Sequence, residues 1–214
     1  MNDVIPNLYA TGPGSLPFDA SLEIRSFLLR REPGNLLVYR PVGIEEDAQA
    51  INGLGGIAHQ YLNHRHEASP TSDFVVETFG APLHVHEADA ESVSEKSGVG
   101  ETFSERHRLD DDFEIIPTPG HTPGATAYLW DSGDHRVLFT GDTIYFRDGE
   151  WVAAVLGFSD RERYVESLEL IRGLEFDVLV PWAATTVTPE RGSTRSSSGS
   201  GAARAPESLA QTSP

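Results

Sequence analysis

Apolar residues fall in short runs separated by turn chemistry, and the period of those runs predicts alternating strands and helices. Two runs at 22–31 and 36–40 flank Glu32-Pro33-Gly34-Asn35, which predicts a β-hairpin because Pro, Gly and Asn suit tight-turn dihedrals. Positions 45–52 read as a short helix with acids in its first turn and Gly53 past its end, the polarity that the helix dipole favours. A strand is expected at 57–62, a helix at 71–79 stopped by Gly80, a strand at 82–86 and a weaker helix at 88–97. The second half repeats the logic, with strands at 113–116, 126–130 and 136–140, the last two joined by Asp131-Ser132-Gly133-Asp134. Ser159-Asp160-Arg161-Glu162 reads as a capping box. It opens a helix whose Tyr164, Val165, Leu168, Ile171 and Leu174 share one face, before a final strand at 177–180. Two similar halves of this kind predict an α/β fold with two sheets packed face to face and helices outside, a four-layer αββα sandwich.

The pattern stops near residue 189. From Glu190 to Pro214, Ser, Ala, Gly, Arg and Thr dominate, and Leu209 is the only large apolar residue. Such a segment buries too little surface to offset its ordering entropy. The organisation expected is therefore one domain over 1–189 and a low-complexity, disordered tail over 190–214.

Charge narrows the partners. The net charge is −17 with 33 acidic residues, and Lys96 is the only lysine. Nucleic acid and anionic membranes both require a basic face and are excluded as partners on this reading. An acidic surface almost without lysine resembles proteins of salt-accumulating microbes, although a GC-rich genome yields the same bias through arginine codons. There is no cysteine, hence no disulfide, thiolate ligand or cysteine nucleophile. The N-terminus shows no signal peptide, and no run reaches the roughly 18 apolar residues of a membrane span. The expected location is the cytoplasm.

Four segments concentrate residues with chemistry. They are His64-Arg65-His66-Glu67-Ala68-Ser69, Thr118-Pro119-Gly120-His121-Thr122-Pro123-Gly124, Phe139-Thr140-Gly141-Asp142-Thr143 and Val180-Pro181-Trp182-Ala183-Ala184. In order and spacing they resemble the metallo-β-lactamase superfamily, especially its glyoxalase-II-like hydrolases. The most specific part is the Pro-Gly-His-Thr-Pro-Gly segment followed about 20 residues later by Thr-Gly-Asp. The resemblance implies a metal held by His64, His66 and His121, with Asp142 as ligand and catalytic group. Three neutral imidazoles leave a fourth position for water, whose pKa a metal lowers to about 7. The substrates implied are small thioesters, esters or lactones.

Departures from the family pattern fall on the second metal. Ala68 and Ser69 stand where the family's Asp-His pair would be, and its last histidine would fall at or near Ala183. The aspartate that usually closes an early strand is also absent, since 36–40 ends in Tyr39-Arg40. The expectation is one divalent ion, zinc with iron as the alternative, in a mononuclear site. His64, His121 and Asp142 also match the two-histidine, one-carboxylate set of iron oxygenases, as in relatives resembling persulfide dioxygenases. A third reading keeps the fold without turnover, as a binding protein.

Glu67 stands at the wrong offset to rescue the second site. Ser69 reads as a helix N-cap, because Pro70 follows it. Trp182 either fills the second metal's volume or lines a substrate pocket. His84 and His86 alternate along a strand, which puts them on one face; that face would suit a two-histidine metal pair, and an exposed or hydrogen-bonded face is the simpler reading. His59, His107 and His135 have no partner at useful spacing.

Overall fold

The computed structural model describes residues 1–185 and 203–204. Of the segment expected to be a disordered tail, all but those last two residues lies outside the description.

Two large sheets form the middle of the molecule. Strands Asn2–Ile5, Leu8–Ala10, Phe27–Leu29, Leu36–Val38, His59–Tyr61, Leu83–His86 and Glu101–Phe103 make the first, in that spatial order. Pairing is antiparallel as far as Leu36–Val38 and parallel beyond it. The second sheet contains His107–Asp110, Phe113–Pro117, Thr126–Asp131, Arg136–Gly141, Val178–Pro181 and Ala203–Arg204. Among the described residues its one parallel pair joins Arg136–Gly141 to Val178–Pro181.

Residues alternate between two apolar environments, so these strands read as continuous hydrophobic runs. Phe27, Leu29, Leu36, Val38 and Tyr61 face Phe113, Tyr128, Trp130, Val137, Phe139 and Val180 across the central core. The intervening Leu28 and Leu37 face outward onto Ile44, Ile51 and Val75. These last three belong to helices α1 (Ile44–Gly53) and α2 (Thr71–Phe79). On the other side Ile116, Leu129, Leu138 and Leu179 meet Ile171 of helix α4 (Arg161–Arg172). Helix α3 (Glu87–Ser94) covers Leu83 and Val85 through Val93. This is the expected four-layer αββα sandwich. Among the described residues no helix is long and apolar enough to cross a membrane.

Several expectations need correction. The run at 22–31 is not one strand. It breaks at Arg25-Ser26, where Ser26 Oγ lies 2.7 Å from Thr11 Oγ1 and Arg25 donates to the Thr11 carbonyl. Asp19–Ile24 then joins a third, five-stranded sheet with Gly14–Leu16, Ala183–Thr185, Tyr145–Arg147 and Glu150–Val152. In helix α4 the N-cap is Asp160, whose carboxylate accepts from the N–H groups of Glu162 and Arg163. Ser159 instead accepts from Leu156 N–H and donates to the His121 carbonyl. Val165 is 59% exposed; the inward stripe is Tyr164, Ser167 and Ile171. The shift follows from what α4 packs against. A Cβ at Gly120, where φ is +139°, would run into the Tyr164 backbone, and Ser167 donates to the Pro119 carbonyl at 2.7 Å.

Candidate metal centre

The four expected site residues sit where strands end. His64 follows the strand His59–Tyr61 in extended backbone, φ −160°, and the single 3₁₀ turn Arg65–Glu67 then brings His66 round. His121 lies on the loop between Phe113–Pro117 and Thr126–Asp131, closed by Thr118 N–H to the Ala125 carbonyl at 2.7 Å. Asp142 follows the strand Arg136–Gly141 after a left-handed residue, Gly141 at φ +56°. A side chain there would overlap Asn63, whose amide bonds the Thr126 carbonyl and ties the two sheets together beneath the site. Tyr39, itself at φ +76°, accepts from Gly141 N–H at 2.9 Å and donates to the Val180 carbonyl at 2.6 Å.

The fold brings the three histidines together: one ring nitrogen from each lies within 4.8 Å of the others. His66 Nδ1 and His121 Nε2 are 3.2 Å apart. Asp142 Oδ2 is 3.5 Å from His64 Nε2 and 3.7 Å from His121 Nε2. Each of the two most buried imidazoles is held from behind. His64 Nδ1 lies 3.0 Å from Glu67 Oε1, and His121 Nδ1 is 2.7 Å from the Ala154 carbonyl. A ring N–H donated backward fixes which nitrogen faces the centre, so that Nε2 would present its lone pair to a cation once deprotonated.

Glu67 and Asp89 do work that the sequence did not show. Glu67 is fully buried; besides His64 it accepts from Arg40 N–H and Asn63 N–H. It stands under the site rather than in the place of a second metal's ligands. Asp89, on α3 and 1% exposed, joins the two histidine loops. Its carboxylate accepts from Arg65 N–H at 3.0 Å, Thr122 Oγ1 at 2.7 Å and Gly124 N–H at 3.2 Å. The one local signal was Glu67 three residues after His64, one turn on; Asp89 had none. Replacing Glu67 with alanine is expected to weaken cation affinity about 10–100-fold, the usual cost of a lost supporting contact. Calorimetric titration with zinc checks this, and unchanged affinity would remove Glu67 from the centre.

Electrostatics divide the imidazoles. Burial opposes a charge on His64, but Asp142 and Glu67 on either side outweigh it and raise its pKa to about 10. Burial, reinforced by the nearby charge of His64, lowers His66 and His121 to about 4. Burial alone would raise Asp142, yet His64 and then the other two histidines hold its carboxyl below the usual range. Burial raises Glu67. Asp142 keeps 18% of its side chain exposed, so it faces both the imidazoles and the opening.

Beside this group Ala68, Ser69 and Ala183 are all buried. Ser69 stands at the start of α2, its hydroxyl accepting from the Thr71 hydroxyl at 3.0 Å and, at a long 3.4 Å, from Thr71 N–H. Trp182 is 3% exposed, belongs to the central core and sets its ring 5.6 Å from that of His64.

A sandwich of this layering, with imidazoles and a carboxylate gathered at the strand ends, defines a metal-site α/β protein. The metallo-β-lactamase superfamily profile matches residues 53–183, more than half of the chain, and the chain belongs to that superfamily. The uncharacterized protein YmaE of Bacillus subtilis (strain 168) is 33% identical over 116 residues, 50% of this chain and 40% of YmaE, so less than half of that relative is spanned. Among solved structures, the metallo-β-lactamase DIM-1 exposed to ceftazidime superposes with a TM-score of 0.69 at 16% identity, covering 85% of this chain and 87% of its own. TTHA1623 in a di-iron-bound form gives 0.62 at 19% identity, covering 82% and 94%. At those identities the likeness is one of fold.

Proposed function

We propose that His64, His66 and His121 hold one divalent cation, zinc in the first instance, and that the chain hydrolyses a thioester, ester or lactone. The carrying observation is His64 Nε2, a buried nitrogen with no hydrogen-bond partner beside the nitrogens of His66 and His121. With the His64 pKa raised to about 10, this nitrogen carries a proton in the metal-free chain, and a cation held there would take the proton's place and give the buried nitrogen a partner. Three neutral imidazoles with a neighbouring carboxylate suit zinc. A cation held there would supply Lewis acidity toward a carbonyl oxygen and would acidify water.

The chain's own residues supply orientation. Glu67 and the Ala154 carbonyl fix two ring tautomers. Asp142, partly open, is placed to accept a hydrogen bond from water and take its proton. The site is read as mononuclear, because Ala68 and Ala183 carry no donor atom, and among the described residues no second group of three donor side chains converges. Trp182 fills volume next to His64. The loop 153–158 forms an apolar wall: Val155, Leu156 and Phe158 are 42%, 41% and 58% exposed, and the Phe158 ring lies 5.5 Å from that of His66. An apolar acyl group is the portion of substrate this wall suits. Phe158→Ala is expected to raise KM for such esters roughly tenfold, about one apolar contact, with metal content unchanged. Equal KM values would detach the wall from the substrate.

A second reading rests on Asp142. Its Oδ2 lies against the Nε2 atoms of both His64 and His121, so those three residues also form the two-histidine, one-carboxylate set of mononuclear iron oxygenases. Elemental analysis of the purified protein separates the readings. About one zinc per chain with thioester or ester turnover supports the hydrolase. Iron with oxygen consumption on persulfides favours the oxygenase. A chain that takes up no metal after loading overturns both and leaves a binding role.

A further inference from the structure

Arg65 stands between His64 and His66, and its side chain runs from their loop onto the apolar wall. The guanidinium carbon lies over the Phe158 ring, 5.5 Å from its centre. The same ring meets that of His66 edge to face, with centroids 5.5 Å apart. Phe158 is thus wedged between a metal-site imidazole and a cation. The guanidinium is no farther from His66 than those two distances laid end to end.

Among the described residues no protein oxygen accepts a hydrogen bond from that guanidinium, although carboxylates are at hand. Asp89 takes the Arg65 backbone N–H at 3.0 Å and then bonds Thr122 and Gly124. Glu67 turns to His64 and to the N–H groups of Arg40 and Asn63. Acids outnumber Lys and Arg by 33 to 16, and Arg25, Arg31, Arg106, Arg136, Arg147 and Arg172 each pair with one. Arg65 is half-buried and keeps its donors for solvent or a ligand. Asp89 holds its backbone and Phe158 holds its far end, so little side-chain freedom remains to be lost when a ligand arrives.

A planar fork of N–H donors matches a carboxylate through two parallel hydrogen bonds. A phosphate would bring a further negative charge toward Asp142 and Asp89 with one arginine to meet it, so the carboxylate fits better. The order along the wall is centre, Phe158, guanidinium. We infer that Arg65 is the carboxylate-binding, specificity-determining residue of this centre. On the hydrolytic reading proposed above, the substrate is then an ester or thioester whose apolar acyl chain ends in a carboxylate. Its carbonyl lies at the centre, its chain on Phe158 and its carboxylate on Arg65. A net charge of −17 repels anions from the surface at large, so this arginine selects by position as well as by charge.

Two esters of adipate test this: the monophenyl ester, which keeps a carboxylate, and the methyl phenyl ester, which has none. On zinc-loaded protein kcat/KM for the first is expected to exceed that for the second about tenfold, the worth of a hydrogen bond to a charged group. Arg65→Gln should bring the two values together. Arg65→Lys, which keeps the charge and loses the fork, should restore part of the preference. Calorimetry gives a readout without chemistry: adipate should bind about tenfold more tightly than monomethyl adipate, and Arg65→Gln should erase the difference. Turnover of both esters at equal kcat/KM, or a preference that survives in Arg65→Gln, overturns the inference and leaves hydrolysis standing. Turnover of neither, with adipate still preferred by the unaltered chain and not by Arg65→Gln, upholds the carboxylate site and removes the hydrolytic reading. Equal binding of adipate and monomethyl adipate without turnover overturns both.

Discussion

His121→Ala is expected to empty the metal centre, taking metal content from about one ion per chain to none and esterase activity to background. Its imidazole is 1% exposed and its Nε2 lies 3.2 Å from His66 Nδ1, so no neighbouring donor can move into its place without rebuilding the loop. The same substitution removes the donor to the Ala154 carbonyl, which ties the apolar wall to the site. Loss of a ligand should exceed the 10–100-fold that losing a supporting contact costs. Elemental analysis and an ester assay on protein with wild-type circular dichroism provide the check. A variant that keeps full metal load and turnover would refute the assignment of His121.

The second large effect is expected at a residue that touches no substrate and no cation. Asp89→Ala removes the one carboxylate that accepts from both histidine loops, stranding Arg65 N–H, Gly124 N–H and the Thr122 hydroxyl. Each stranded buried donor costs about 1–3 kcal/mol, so a loss of about 3 kcal/mol or more is expected from a total that is about 5–15 kcal/mol for a native protein. For a chain of this size that lowers Tm by roughly 6–12 °C. Cation affinity should fall about 10–100-fold at the same time, because Arg65 precedes His66 and Thr122 follows His121. Asp89→Asn, which keeps one acceptor oxygen, should fall between the two. Calorimetry of unfolding and of zinc titration measures both quantities. A variant with normal Tm and normal affinity would show that Asp89 does not join the loops. Gly124 supports this role from the other side, since a Cβ there would lie 2.7 Å from Asp89 Cγ.

Much of the scaffold was legible in the chain itself. Helix α2 ends at Gly80 in the left-handed conformation, as the local chemistry required, but its N-cap is Pro70, with no side-chain bond, rather than the expected Ser69. The apolar runs at 36–40, 113–116 and 136–140 became strands because both of their faces are covered by apolar layers. The spacing of His64, His66, His121 and Asp142 was likewise enough to place all four at strand ends, where loops converge.

What only the tertiary structure decided concerns partners far apart in sequence. The chain holds 33 acidic residues, and no local pattern marked Asp89 as the one that reaches both Arg65 and Gly124. Glu67 turns beneath His64 because the 3₁₀ turn and the Arg40 backbone leave it that place, and His59 meets His84 because parallel pairing sets their strands in register. Val165 lost its inward place because Gly120 admits the α4 backbone only at Tyr164. Periodicity and turn chemistry act over a few residues and determine elements; the choice among chemically equivalent side chains is made when distant elements pack and burial leaves one donor facing one acceptor.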